Sequence, residues 1–293
     1  MTALRALLGG IVDYAGLFPP AALDMPGAVA NYAEYRASGE SWMLGRFVAP
    51  ARRLAELDAA LQSLGDADAG WVVSATGGDD LLADASLIQT FNASAPEARR
   101  VDTIEAKVAT RDSIAEAASA AQDGFSVFVE IPVRDDPAHL IDAIADARLN
   151  AKIRTGGVTA DAFPSAEHVV RFMTRCIQAG VPFKATAGLH HPICADYALT
   201  YAADAPRGPM FGFLNLFLAA AALRQGASAD DATALLLERD AGAFTLTNDR
   251  LSWRGAHLAT KALAETREHS AVAFGSCSFR EPVNDLRSLG YLT

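Results

Sequence analysis

The sequence predicts an α/β protein of the (β/α)8 TIM-barrel class, and three observations carry that prediction. Short apolar runs bounded by Gly, Pro or Asp recur along the chain, helical patterns separate them, and 293 residues suffice for eight such units. An open doubly wound sheet is the alternative reading of the same alternation. No low-complexity linker or composition break interrupts the pattern. Residues 1–293 therefore read as one barrel domain, with 195–256 as a helical and hairpin elaboration within it.

The first strand is expected at Gly10–Asp13. A helix over Ala28–Arg36 follows, announced by Asp24 and by Pro26 near its first turn. Strand two, Trp42–Val48, is paired with a helix at Ala51–Leu64. Strand three, Gly70–Ala75, is followed by Asp79–Phe91, and strand four, Val101–Lys107, by Asp112–Ala121. Strand five, Ser126–Ile131, precedes Pro137–Ala147, which Asp136-Pro137 opens. Strand six, Ala151–Thr155, precedes Ala166–Ala179, which Pro164-Ser165 opens and Gly180 closes. Strands seven and eight are Pro182–Thr186 and Val272–Ser276, with a last short helix at Pro282–Leu289. The runs are short, continuous and apolar, as buried parallel strands should be.

The segment between strands seven and eight is too long for one crossover. It holds an apolar helix within Met210–Leu223 and a second helix at Asp230–Leu237. A hairpin of Phe244–Thr247 with Leu251–Arg254 follows, around Asn248-Asp249. Met210–Leu223 is too short for a membrane span and contains Asn215, so it reads as a buried helix or a subunit contact. The second option leaves a homo-oligomer open.

A formal net charge of −10 argues against nucleic acid or anionic lipid as the main partner. Cys176, Cys194 and Cys277 show no CxxC or metal-ligand spacing, which fits a reducing cytoplasm. The opening Met1-Thr2-Ala3-Leu4-Arg5 has one basic residue and an apolar run broken by Gly9-Gly10, so no signal peptide is expected.

Against this background two lysines stand out: Lys152, followed by Ile153-Arg154-Thr155-Gly156-Gly157, and Lys184, in Phe183-Lys184-Ala185-Thr186-Ala187-Gly188. A buried ammonium is costly unless it is paired or loses its proton. Strand alternation gives Lys152 and Arg154 one face, Lys184 and Thr186 one face, and Glu105 and Lys107 the face of Thr103. Arg46 and Glu130 are charges within apolar runs, and Asp13 ends strand one. The set is expected to point into the barrel near its C-terminal mouth. Arg46, Lys107, Lys152, Arg154 and Lys184 outnumber Asp13, Glu105 and Glu130, which implies a small anionic metabolite as ligand. Crowded cations would also depress a lysine pKa. A self-neutralising ion network is the bland alternative.

Gly156-Gly157 and Gly188 end strands six and seven, and Gly275-Ser276-Cys277-Ser278 ends strand eight before a helix. These positions suit anion binding through backbone N–H groups, although glycine at a strand end is also ordinary turn chemistry. His190-His191-Pro192 follows strand seven as a substrate contact, an acid/base pair or, with Glu130 or Asp13, a metal site. No HxH or HExxH pattern supports the metal. Cys277 reads more simply as a small core residue than as a nucleophile.

These residues resemble deoxyribose-phosphate aldolase and its class I barrel relatives. Glu130 stands where that family has a strand-five glutamate. Lys152 with Thr155-Gly156 is similar to its Lys-x-x-Thr-Gly. Phe183-Lys184 with Gly188, and Phe274-Gly275-Ser276, are similar to its strand-seven and strand-eight signatures. Asp13 and Val101-Asp102 look like its acidic positions on strands one and four. The resemblance implies that Lys152 forms a Schiff base, that Lys184 lowers its pKa, and that a strand-four acid relays protons. Parity separates Asp102 from the face of Glu105 and leaves the identity of that acid open.

Three departures stand beside the resemblance: Arg154 inside the lysine motif, His190-His191 in the strand-seven loop, and the long segment before strand eight. Arg154 favours a carboxylate-bearing substrate over a plain sugar phosphate. The expectation is therefore a cytoplasmic lyase of the Schiff-base aldolase type that needs no cofactor. Lys152, Lys184, Glu105 or Asp102, and Glu130 would carry the chemistry. Asp13, Arg46, Lys107, Arg154, Thr186, His190, His191, Gly275 and Ser276 would bind substrate. A metal-assisted lyase, isomerase or hydrolase using His190, His191, Glu130 and Asp13, and a non-catalytic metabolite-binding barrel, are the alternatives.

Overall fold

A computed structural model describes residues 1–64, 70–94, 99–120 and 124–292. Its centre is a closed barrel of eight parallel strands. In chain order the barrel strands are β1 (Val12–Tyr14), β2 (Leu44–Pro50), β3 (Trp71–Thr76), β4 (Arg99–Lys107), β5 (Ser126–Glu130), β6 (Asn150–Arg154) and β7 (Phe183–Thr186). The last, β13 (Ala271–Ser276), closes the ring between β7 and β1. All eight expected strands are present, with their ends shifted by a few residues. Trp42, expected in the second, lies in a turn of 3-10 helix before it.

Helices α2 (Met25–Arg36), α3 (Leu54–Leu64), α4 (Leu81–Ser94), α5 (Arg111–Ala120), α6 (Ala138–Asp146) and α7 (Ala166–Ala179) alternate with the first seven strands. Ala121, expected to end the fifth of these, falls outside the described residues. The start and stop signals act as their chemistry requires. The Asp24 carboxylate accepts from Gly27 N at 2.9 Å at the head of α2, and Ser165 accepts from His168 N at the head of α7. Gly180 then ends α7 at a φ of +65°, where a Cβ would be strained. A short helix, α1 (Ala3–Leu8), precedes β1 and was not foreseen.

Between β7 and β13 the chain forms a two-stranded sheet, β8 (Ala195–Ala198) with β9 (Arg207–Met210). Helices α8 (Phe213–Arg224) and α9 (Ala229–Leu236) follow. A three-stranded sheet comes next, β10 (Phe244–Leu246), β11 (Arg250–Trp253) and β12 (Ala256–Ala259), and then α10 (Thr260–His269). The expected hairpin is β10–β11. The strand β12, the β8–β9 pair and α10 carry no periodicity strong enough to announce them. A final helix, α11 (Arg280–Ser288), follows β13.

Every residue of α8 from Phe213 to Ala221 is buried, and the helix packs against α7, α9 and α10. A helix apolar on all sides needs such cover, and here the chain itself supplies it. The subunit-contact reading of Met210–Leu223 thereby loses its basis. Asn215, fully buried, receives Cys194 N and donates to the carbonyls of Leu235 and Glu238 at 2.8 Å each. No helix among the described residues is long and apolar enough to cross a membrane.

Candidate active site

Strand register decides which side chains meet. Lys107 on β4 lies beside Glu130 on β5, Glu130 beside Lys152 on β6, and Lys152 beside Lys184 on β7. Thr186 lies beside Gly275 on β13, and Gly275 beside Asp13 on β1. Partners in a parallel ladder share a face, so these side chains converge on the barrel interior.

There they build a ladder of alternating charge. Asp13 Oδ2 accepts from Lys184 Nζ at 2.5 Å, and Lys184 also donates to Glu105 Oε1 at 2.6 Å. The other oxygen of Glu105 pairs with Lys152 Nζ at 2.8 Å, and Lys152 pairs with Glu130 at 3.1 Å. Glu130 in turn takes Arg154 Nε at 3.1 Å. Ser74 donates its hydroxyl to Glu105 at 2.7 Å, and the Arg46 amide donates to Asp13 at 2.7 Å. Lys184 Nζ sits 5.6 Å from the centre of the Phe128 ring.

The two lysines thus share one carboxylate, and they differ in reach. Lys184 is 1% exposed and sealed beneath the others, whereas Lys152 opens onto a cavity of about 490 Å³ at the C-terminal ends of the strands. Glu105, Glu130, Arg154, Lys107, Thr186 and His190 line the same cavity.

The electrostatics follow from this geometry. Burial alone would raise the Glu105 carboxyl, but Lys152 and Lys184 outweigh it and hold Glu105 far below the ordinary carboxylate value. Glu130 is lowered in the same way, against its burial, by Lys152 and Arg154. Burial would pull Lys184 down, yet Asp13 and Glu105 together raise it above the ordinary value of 10.5. The expected depression of a lysine by neighbouring cations therefore does not hold at Lys184, because carboxylates and not cations are its nearest charges.

The expected cation surplus also shrinks. Asp13, Glu105 and Glu130 match Lys184, Lys152 and Arg154 one for one. Lys107 remains at the cavity edge with no ion pair among the described residues.

Arg46 and Asp102 are not in this set. They pair with each other through two hydrogen bonds of 2.6 and 3.0 Å, on the early residues of β2 and β4, and neither lines the cavity. The register of β3 with β4 shifts between Val101 and Thr103, which displaces Asp102 from the regular alternation. Glu105 is the strand-four acid beside the lysines.

Two other expected contacts are spent away from the cavity. The Ser276 hydroxyl bonds to the Ser278 backbone, outside the cavity lining, while Gly275 lines it. His191 Nδ1 meets Asp285 at 2.6 Å, and its ring stacks on Tyr197 at 3.6 Å, away from the cavity. His190 lines the cavity, and its Nδ1 meets Glu281 at 2.9 Å. The donor set His190, His191, Glu130 and Asp13 is therefore not brought together around one point.

The glycines have a packing reason. Thr155, fully buried, donates to the carbonyl of Ala187 at 2.6 Å and ties the end of β6 to the end of β7. A Cβ on Gly156 would lie 2.9 Å from the Gly188 Cα, and the converse is equally close, while Gly188 also holds a φ of +69°. Thr-Gly after Lys152 thus fixes how near the two lysine-bearing strands approach.

Sequence reasoning missed Ser74, Phe128, Glu281 and Tyr201. Parity on strand three pointed to Ser74, since Ser74 and Thr76 share a face. Nothing local marks Glu281 or Tyr201, which reach the site through the closure of the barrel.

No protein-family model and no curated protein matches the chain. Among solved structures, a nitroalkane oxidase from Streptomyces ansochromogenes is similar at 15% identity and a TM-score of 0.33. The match covers 65% of this chain and 62% of that one, so this chain spans less than two thirds of its length. A likeness of that size carries no argument about substrate or cofactor. The architecture rests on the closed ring of strands itself, which suits a barrel that catalyses or binds.

Proposed function

We propose that this barrel is a Schiff-base lyase of the class I aldolase type, acting on a small carbonyl compound that carries an anionic group. One observation supports this reading above the others. Two lysines on adjacent strands share the Glu105 carboxylate, and only Lys152 opens onto the cavity. A purely structural ion network has no reason to leave one amine at the edge of a hollow of about 490 Å³.

Attack on a carbonyl requires the neutral amine. In the proposed sequence the Lys152 ammonium passes a proton to Glu130, and Nζ then attacks the carbonyl carbon. The carbonyl oxygen takes one proton from the attacking nitrogen and one from Glu130 and leaves as water, which gives the iminium. That cation accepts the electron pair of the breaking C–C bond as the hydroxyl on the departing carbon becomes a carbonyl and gives its proton to Glu130. Lys184, held charged by Asp13 and Glu105, supplies a fixed positive field beneath the nucleophile. Lys107 and the outer edge of Arg154, whose side chain is half exposed, are available to the substrate anion.

The test is reductive trapping. The protein is incubated with 2-oxo acids and short aldehydes, treated with borohydride, and digested for mass spectrometry. A reduced adduct on the Lys152 peptide, absent in Lys152→Arg, is the expected result, because a guanidinium cannot form the imine. No adduct with any probe, or an adduct that survives Lys152→Ala, sinks the reading.

A further inference from the structure

His190 closes one side of the cavity with its ring nearly buried. Its Nδ1 lies 2.9 Å from Glu281 Oε2, the same oxygen that accepts the Tyr201 hydroxyl at 2.9 Å. Glu281 sits in the first turn of α11, where its amide faces the Ser278 hydroxyl at 3.2 Å. Burial would raise the Glu281 carboxyl, but the hydrogen bonds from His190 and Tyr201 lower it, so it is an acceptor only. An acceptor on that side requires the ring proton on Nδ1, so in the neutral imidazole Nε2 carries the lone pair. Among the described residues no ion pair joins this imidazole to the lysine–carboxylate ladder.

We infer that His190 is the proton-transfer residue for substrate carbon, oriented by Glu281 and Tyr201 as positioning residues, and that it is separate from the lysine ladder. The inference rests on the imine reading above. With the imine formed at Lys152, Nε2 takes a proton from the carbon next to the iminium carbon. The C–H electron pair becomes the enamine C=C bond, and the C=N π pair moves onto nitrogen. In reverse, the histidinium returns the proton to carbon and the iminium is restored. Atoms and charge balance with no other reactant.

Pyruvate in D2O tests this, with borohydride trapping run in parallel on the same samples. Wild-type protein is expected to give the Lys152 adduct and to exchange the methyl protons for deuterium, read by NMR. His190→Gln is expected to keep the adduct yield while exchange slows by about 100-fold. Glu281→Gln, which leaves the imidazole in place, is expected to slow exchange by about 10-fold at unchanged adduct yield.

A His190→Gln protein that forms the adduct and exchanges at the wild-type rate overturns the histidine assignment and leaves the lysine reading standing. Loss of adduct and exchange together in a folded His190→Gln protein makes His190 a binding residue and also overturns it. If His190→Gln melts early, Glu281→Gln decides, and wild-type exchange there refutes the pair. Absence of any wild-type adduct overturns the lysine reading and this one with it.

Discussion

Two buried polar regions of this barrel solve the same desolvation problem in opposite ways. Inside the strands, charged side chains satisfy one another, from Asp13 through Lys184, Glu105, Lys152 and Glu130 to Arg154. Behind β13, Arg267 carries a largely buried guanidinium with no ion pair among the described residues. It donates to the carbonyls of Leu7, Gly9, Ala271 and Val272 at 2.5 to 3.1 Å and faces the Phe217 ring. Burial pulls this guanidinium down to about 10. Asn215 does the same for α8 with backbone groups only. Side-chain partners can exchange with a ligand or move a proton, whereas backbone partners cannot. The first arrangement therefore suits a site, and the second fastens the late elements to the barrel.

The largest expected effect breaks the ladder at its shared rung. Glu105→Gln leaves Lys184 and Lys152 without their common carboxylate, and stripping one partner from buried ion pairs costs about 4 kcal/mol. Urea unfolding should show that loss, and the Lys152 adduct should vanish even in conditions where the variant is folded. Arg267→Met comes next. It leaves buried carbonyls without donors, at about 3 kcal/mol, and retains the adduct. Equal loss of adduct in both variants would abolish the distinction between site and fastening.

The ladder was legible in the sequence to an uneven degree, and the reason is geometric. Lys152, Lys184, Glu105 and Glu130 sit within strands, where a period of two assigns the face without any knowledge of the fold. Arg46 also sits in a strand and satisfies the same rule, whereas parity already set Asp102 apart from Glu105. They were misplaced because height along the barrel axis depends on stagger and on the register shift at Asp102, which local pattern does not encode. His190 could be nominated from its loop, but its partner Glu281 lies 91 residues away and meets it only after the ring closes. The same limit hid α10, which packs on α1, α8 and β13 from distant parts of the chain, and β12, in which Leu258 alone is buried.

A smaller effect sharpens the comparison through pH. Glu105 and Glu130 are lowered in the folded state, so their stabilisation is present above the ordinary value of 4.5 and disappears as pH falls through their depressed values. Lys184 is raised, so its contribution is complete below 10.5 and disappears as pH rises through its higher folded value. Melting temperature should therefore form a broad plateau with both shoulders set by the ladder. Glu105→Gln should lower that plateau and make its acid shoulder shallower, while Asn215→Leu should lower the whole curve by a similar amount at every pH. A parallel drop in Glu105→Gln would mean that the ladder carries no pH dependence of its own and acts as inert packing.

The smallest expected effect concerns the pair that resembles the ladder in composition but not in place. Arg46 and Asp102 form a two-bonded ion pair whose side chains are 34% and 20% exposed. Water already screens these charges, so Arg46→Met should cost about 1 kcal/mol or less, since its amide still reaches Asp13 through the backbone. Adduct formation and proton exchange should stay at wild-type rates. A loss of either would show that the lower barrel layer speaks to the lysines through Asp13, whose carboxylate touches both the Arg46 amide and Lys184. The boundary between site and scaffold would then run one layer deeper than the cavity floor.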